Sequence, residues 1–395
     1  MPTNKIRHAG TVQAASTTYP DPHDCQLVMD SLPQEIIDEI IDNLPDERSI
    51  LHSSSLVAKR WQTRSQRRAF HTVFFRSEFA VDKWRLHTQS DPGRIPSYVK
   101  FAGFQSIAKW RDPALFRCVL ENFSSLRTLW LLTMEIPDWM PECVSRGGFG
   151  EWITSFKVQC SQCSFSTVMS TCLSFPNLQD LSIIDLTPGE APLPYPILPP
   201  RKTLKLLQVI DFEERIAEVL ENTRLTSRSL TLDVKTQNVQ ELLVLSSVTV
   251  EKLSLLGECL LCEGHKTIDG DFTDFPRTSN FNHAIKLPPL PALTSLEIHV
   301  AGRDPTPHLI SALSSISSAP ALVSVSLGCE YWPYSGFVFS ATWDSLDTRL
   351  TQMAKNAAVE GGLVLTLTQC PERPVPGMLF PKFEGVAKII VERTC

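Results

Sequence analysis

The stretch Ser124–Thr133, SSLRTLWLLT, sets apolar residues at Leu126, Leu129 and Leu131, in the spacing L-x-x-L-x-L. Its second half alternates as a strand does, with Leu129 and Leu131 on one face and Trp130 on the other. The spacing recurs as Ile153-Phe156-Val158, Leu178-Leu181-Ile183, Leu204-Leu207-Val209, Val250-Leu253-Leu255, Leu293-Leu296-Ile298 and Leu322-Val325-Leu327. Partial copies stand at Leu230-Leu232 and Leu365-Leu367. The central positions 129, 156, 181, 207, 230 and 253 lie 27, 25, 26, 23 and 23 residues apart, and the next gaps, 43, 29 and 40, require insertions. A strand returning at this period predicts one small structural unit, stacked repeatedly so that neighbours bury each other's apolar face.

These triplets and their period resemble the leucine-rich repeat, which implies an irregular α/β solenoid of short parallel strands and helices over residues 115–370. The consensus Asn after the strand is missing, so the repeats are degenerate. The first insertion, 259–291, is rich in polar residues, Gly and Pro and reads as a long loop. The second carries a helical period at Trp343, Leu346, Leu350, Met353 and Ala357, closed by Gly361-Gly362. Residues 371–395 are expected to be a tail or cap. Strand positions between the buried ones would face the concave side of the solenoid. They include Trp130, Lys157, Gln159, Asp180, Ser182, Gln208, Thr231, Asp233, Lys252, Ser254, Glu297 and His299, a mixture suited to a peptide or protein target.

Upstream, residues 1–29 lack an apolar period and read as a disordered lead. The run LPQEIIDEIIDNLP, residues 32–45, then predicts a helix: Pro33 suits a first turn, Ser31 and Gln34 have capping-box spacing, and Pro45 stops it. At about 100° per residue, Ile36, Ile40, Ile37, Leu44 and Ile41 fill an arc of about 140°. That stripe is broader than a small helical unit covers, so part of it is expected to await a partner. Asp46 or Ser49 can cap a second helix with Ile50 and Leu51, and Leu56, Val57, Trp61 and Phe70 continue the apolar series. At His71–Phe75 the pattern turns strand-like, and residues 76–114 read as a linker.

The order Leu32-Pro33, Glu35-Ile36, Ile40, Leu44, Leu51, Ser55-Leu56-Val57, Arg60-Trp61, Phe70 resembles the F-box, over residues 30–75. His52-Ser53-Ser54 departs from it, standing where family members often have Cys or an apolar residue. The resemblance implies a non-catalytic substrate receptor of an SCF-type ubiquitin ligase. It would dock a Skp-type adaptor, and through it a cullin and a RING subunit, and would hold a target protein on the repeats. Leu32, Pro33, Ile36, Ile40, Leu51, Leu56, Val57 and Trp61 would divide between packing the domain and facing the adaptor. The helix-one residues and Leu51 are expected to face outward. A repeat scaffold unconnected to ubiquitination is the alternative.

Composition agrees with an intracellular, cytoplasmic or nuclear interaction protein. The net charge of -6 provides no basic field for nucleic acid, and no apolar run is long enough for a membrane span. Eleven cysteines spread from Cys25 to Cys395 read as reduced, mostly buried thiols. Cys160-x-x-Cys163 and Cys259-x-x-Cys262, with His265 and His283, offer a zinc alternative, but the pairs lie 99 residues apart (259 minus 160) and follow strands. No metal, cofactor or catalytic residue is expected. Phosphate-loop and nucleophile-elbow motifs are missing, and Gly147-Gly148-Phe149-Gly150 reads as a turn. The basic run Lys59-Arg60, Arg64, Arg67-Arg68 reads as a solvated helix face.

Overall fold

In a computed structural model, the described residues are 32–45, 47–88, 94–105, 113–133, 136–160, 165–186, 202–212, 225–233, 239–257, 287–300, 312–314, 316, 319–329, 341–356, 362–368 and 380–391. The chain divides into two units, Met1–Phe70 and His71–Cys395. Expectations for the N-terminal lead, nearly all of the 259–291 loop and both C-x-x-C pairs fall on residues or side chains outside this set.

Among the described residues the first unit has three helices: α1 (Gln34–Asp42), α2 (Arg48–Val57) and α3 (Lys59–Ala69). Ile37, Ile41 and Trp61 form its core, with Leu32 and Ala58 packed against them. Pro33 takes the N-cap position of α1 in place of the first turn, and Gln34 donates to Asp38 at 2.8 Å instead of closing a capping box. The N-cap residue of α2 is Glu47, with no side-chain bond, and not Ser49; Asp46 lies outside the described residues. Ala58, in an extended conformation, breaks α2 from α3. The buried Ser54 is compatible with the core because its hydroxyl donates to Ser65 Oγ, 2.8 Å away, and a paired hydroxyl avoids most of the burial cost.

The second unit is an open, leucine-rich-repeat-like α/β solenoid. Its sheet has twelve strands, β1 to β12, neighbouring one another in chain order and all parallel. They are β1 (Thr72–Phe75), β2 (Phe101–Gln105), β3 (Thr128–Thr133), β4 (Ser155–Cys160), β5 (Asp180–Leu186), β6 (Lys202–Phe212), β7 (Leu225–Asp233), β8 (Lys252–Gly257), β9 (Ser295–Val300), β10 (Ser324–Cys329), β11 (Val364–Thr368) and β12 (Lys388–Val391). Between them run α4 (Glu78–Thr88), α5 (Pro113–Glu121), α6 (Met140–Arg146), α7 (Phe165–Leu173), α8 (Val239–Ser246), α9 (Ala341–Asn356) and α10 (Pro381–Glu384).

Register is uniform. Val73, Ala102, Leu129, Phe156, Leu181, Leu207, Leu230, Leu253, Leu296, Val325, Leu365 and Ile389 are successive ladder partners. One position before the strand, a backbone fork repeats the message. The carbonyl of Lys100 accepts from the N–H groups of Arg127 and Thr128, that of Arg127 from Thr154 and Ser155, and that of Thr154 from Gln179 and Asp180. On the covered face the paired apolar residues meet Phe116, Val119, Met140, Val168, Met169, Leu242, Leu346 and Leu350 from the helices in one core.

Two boundaries differ from the sequence-based expectation. Val73 and Phe75 belong to the solenoid, since Phe75 stacks on Phe104 at 5.1 Å, so the N-terminal unit ends at Phe70. Residues 76–114 are not a linker, because α4 and β2 form the first repeat there. The Gly147–Gly150 stretch is a 3-10 turn, Gly148–Glu151, that buries Phe149. The two partial copies also acquire a reason: the position filled by Leu126 in β3's repeat is the buried Ser227 within β7 and Gly362, at φ +73°, before β11.

At the β11 edge, residues 380–391 cap the described sheet with α10 and β12. The buried Asp347 of α9 accepts from the backbone N–H groups of Lys382 and Phe383, 2.9 Å each, tying α10 down ahead of β12. Asp347→Ala leaves two inward N–H groups unmet, a loss of about 1–3 kcal/mol. Amide exchange over 380–391 should accelerate while β3 to β6 keep their protection; unchanged exchange in that segment would contradict the capping role.

Candidate functional site

Two surfaces are candidates, one on each unit. In the first unit, α3 presents Arg60, Arg64 and Arg68, four residues apart, toward α1. Arg60 donates to Gln34 (3.3 Å), Arg64 pairs with Asp42 (Nε to Oδ1, 2.8 Å), and Arg68 donates to the carbonyls of Ile41 and, at 2.9 Å, Leu44. Much of the basic run is therefore a clamp on α1, satisfying carbonyls that a helix end leaves unpaired, and not simply a solvated face.

That clamp fixes which side of α1 is hidden. Ile37 and Ile41 are fully buried, whereas Ile36 and Ile40 are 42% and 38% exposed. On α2, Leu51 is buried, correcting the expectation that it faces outward, while Leu56 and Val57 are 73% and 46% exposed. Trp61 is buried, Leu32 half-buried and Pro33 exposed. The eight residues singled out from sequence thus separate into core (Leu51, Trp61, with Leu32 against it) and surface (Pro33, Ile36, Ile40, Leu56, Val57). The Gln34–Arg60 bond and the packing of Ala58 on the α1 core bring the end of α2 beside the start of α1.

The second surface is the sheet face turned from the helical core. Every concave-face residue expected from sequence lies on it, in three rows. The middle row runs Phe74, Gly103, Trp130, Lys157, Ser182, Gln208, Thr231, Ser254, Glu297. Asp180 and Lys252 lie on one side of it, and Gln159, Asp233 and His299 on the other. Asp233 is buried, so its carboxylate is not part of the open surface.

At one end is an aromatic group. A Cβ on Gly103 would come within 2.1 Å of the Phe74 ring, so only glycine there lets Phe74 lie over β2 and approach Trp130, at 5.5 Å between centroids. Phe101 meets Trp130 edge-on at 6.1 Å, and Lys157 Nζ sits 4.9 Å from the Trp130 ring centroid. Sequence analysis singled out Trp130 and Lys157 but not Phe74, Phe101 or Gly103, because β1 and β2 were not recognised as repeats. At the centre, Ser182 donates to Gln208 Oε1 at 2.8 Å. Toward the other end, His299 Nε2 lies 2.6 Å from Glu297 Oε1. The His299 bond, with help from Ser254, holds the Glu297 carboxyl below its ordinary range, while desolvation raises that of Asp180.

Two of the described thiols, Cys143 and Cys172, are structural in character. Burial pushes Cys143 up to about 11 and Cys172 higher still, which disfavours the thiolate a nucleophile or metal ligand needs. Among the described residues there is no group of three or more His, Cys, Asp or Glu able to hold a metal, and no helix long and apolar enough to cross a membrane.

No protein-family model matches the sequence, and no curated protein matches it. Among solved structures the chain is similar to the Rad7 and Elc1 complex in yeast, with a TM-score of 0.33 and 10% identity over 93% of this chain and 94% of that one.

The Arg64 bond lowers the pKa of Asp42. The contribution of the pair is therefore complete above the ordinary aspartate value of about 3.9 and fades as pH falls through the lower folded-state value. With side chains 37% and 43% exposed it is worth only about 0.2–1 kcal/mol. Amide protection in 34–44 should weaken at acid pH, and Arg64→Gln should remove the part of that response due to Asp42. An identical acid profile in the variant would contradict the clamp.

Proposed function

We propose that this chain is a non-catalytic substrate receptor whose N-terminal helical unit is an F-box. The unit docks a Skp-type adaptor, and the adaptor connects the chain to a cullin-RING ubiquitin ligase. The observation that carries the proposal is the exposure of Ile36, Ile40, Leu56 and Val57 on a unit whose core is already complete without them. At 38–73% exposure each forgoes only part of the roughly 1.5–3 kcal/mol that full burial provides, and together they suit the apolar centre of an interface. They are also F-box positions in the sequence resemblance.

In this scheme ubiquitin-transfer chemistry belongs to the partners, and the repeats choose the target. A parallel sheet with one face covered by helices leaves the other free, and its half-buried polar and aromatic residues suit recognition of a protein segment. The complex would assemble in the cytoplasm or nucleus.

Titration against a purified Skp-type adaptor tests the docking surface. Ile36→Asp and Leu56→Asp should each weaken binding by about 10- to 100-fold, since about 1.4 kcal/mol corresponds to tenfold. Leu32-Pro33→Ala-Ala should weaken it too, by loosening the start of α1. Circular dichroism should show the solenoid intact in all three. Wild-type affinity in both Asp variants would reject the assignment.

A further inference from the structure

The open face is polarised along its length. Lys157 has no carboxylate partner among the described residues, and its ammonium lies over the Trp130 ring, which is half-buried beside Phe74. A cation over an aromatic ring in a partly desolvated place interacts strongly with an anion brought beside apolar surface. The Trp130 Nε1 atom is covered, so this residue offers its ring and not its N–H. Five strands away, Glu297 is braced by His299 yet 43% exposed. Between the two ends, Ser182 occupies the Gln208 carbonyl oxygen and leaves the Gln208 NH₂ group without an acceptor among the described residues. An amide fixed in this way can donate to a backbone carbonyl laid across it. The row on one side of this lane is closed at Ile210 and Asp233, both buried.

We propose that the middle row binds an extended peptide running across the strands, with an apolar residue and an adjacent acidic residue on Trp130 and Lys157 and a basic residue on Glu297. Strands about 4.8 Å apart put the two charges about 24 Å apart, and at about 3.3 Å per residue this spaces the acidic and basic residues by about seven positions. The proposal rests on the open face being the target-binding surface and assigns that target a chemistry.

The test is a displayed library of random 15-residue peptides screened against the full-length chain, its Lys157→Glu and Glu297→Lys variants, and Ile36→Asp. The wild type should enrich peptides with an apolar-acidic pair and, about seven residues away, Lys or Arg. Lys157→Glu should turn the acidic preference basic without changing the other position, and Glu297→Lys should do the converse. Trp130→Ala should lose the apolar preference alone. An enriched set with only one charged position, a set indifferent to both charge reversals, or no enrichment would overturn the proposal. Ile36→Asp should select the same peptides as wild type. Both charge-reversed chains should retain adaptor binding, so failure of the adaptor assignment with the motif intact is distinguishable from failure here.

Discussion

The structure depends on a single constraint: each repeat must set its central apolar residue level with the one before it. Side chains alternate along a strand, so a one-residue slip would turn Leu129 and Leu131 outward and Trp130 inward. Two devices hold the level. The helices supply apolar partners on only one face. At several repeats, as at Lys100, Arg127 and Thr154, the carbonyl ahead of a strand accepts two successive N–H groups from the next repeat, so the register is in place there before the ladder begins. Because register is uniform, the uncovered face inherits ordered rows, and Lys157, Ser182 and Gln208 become neighbours although each is about a repeat apart in sequence.

How much of this was legible in sequence follows from the same constraint. Wherever leucine or another large aliphatic residue filled the paired positions, as from β3 to β11, the period identified the strand. β2 escaped because Ala102 replaces the large paired residue, and the neighbouring Gly103, required by the Phe74 ring on the open face, reads as a break. β1 was seen as strand-like but credited to the wrong unit, since nothing local says that Phe75 stacks on Phe104 and not on the helices before it. β12 has Ile389 and Val391 only half-buried, and its tether, Asp347, lies in another repeat. Long-range partners of this kind leave no periodic trace.

The helical unit shows a complementary limit. Helical spacing located the apolar stripe of α1 but could not say where its buried half ends. Arg68, bonding to carbonyls of Ile41 and Leu44 from a different helix, decides that Ile37 and Ile41 turn inward and Ile36 and Ile40 outward. The same tertiary packing buries Leu51, which the F-box resemblance had suggested faces the adaptor. A unit with a finished core and surplus surface isoleucine and leucine is unfavourable in isolation and intelligible as half of an interface. The proposed function would divide the chain into one unit for docking and a separate, polarised sheet face for choosing what is brought along.

Co-purification with a Skp-type adaptor, comparing the intact chain with one lacking residues 32–70, tests the central claim most directly. The account predicts stoichiometric capture by the intact chain and none by the shortened one, with the solenoid folded in both. Capture that survives the deletion, or no capture by a folded intact chain, would contradict it.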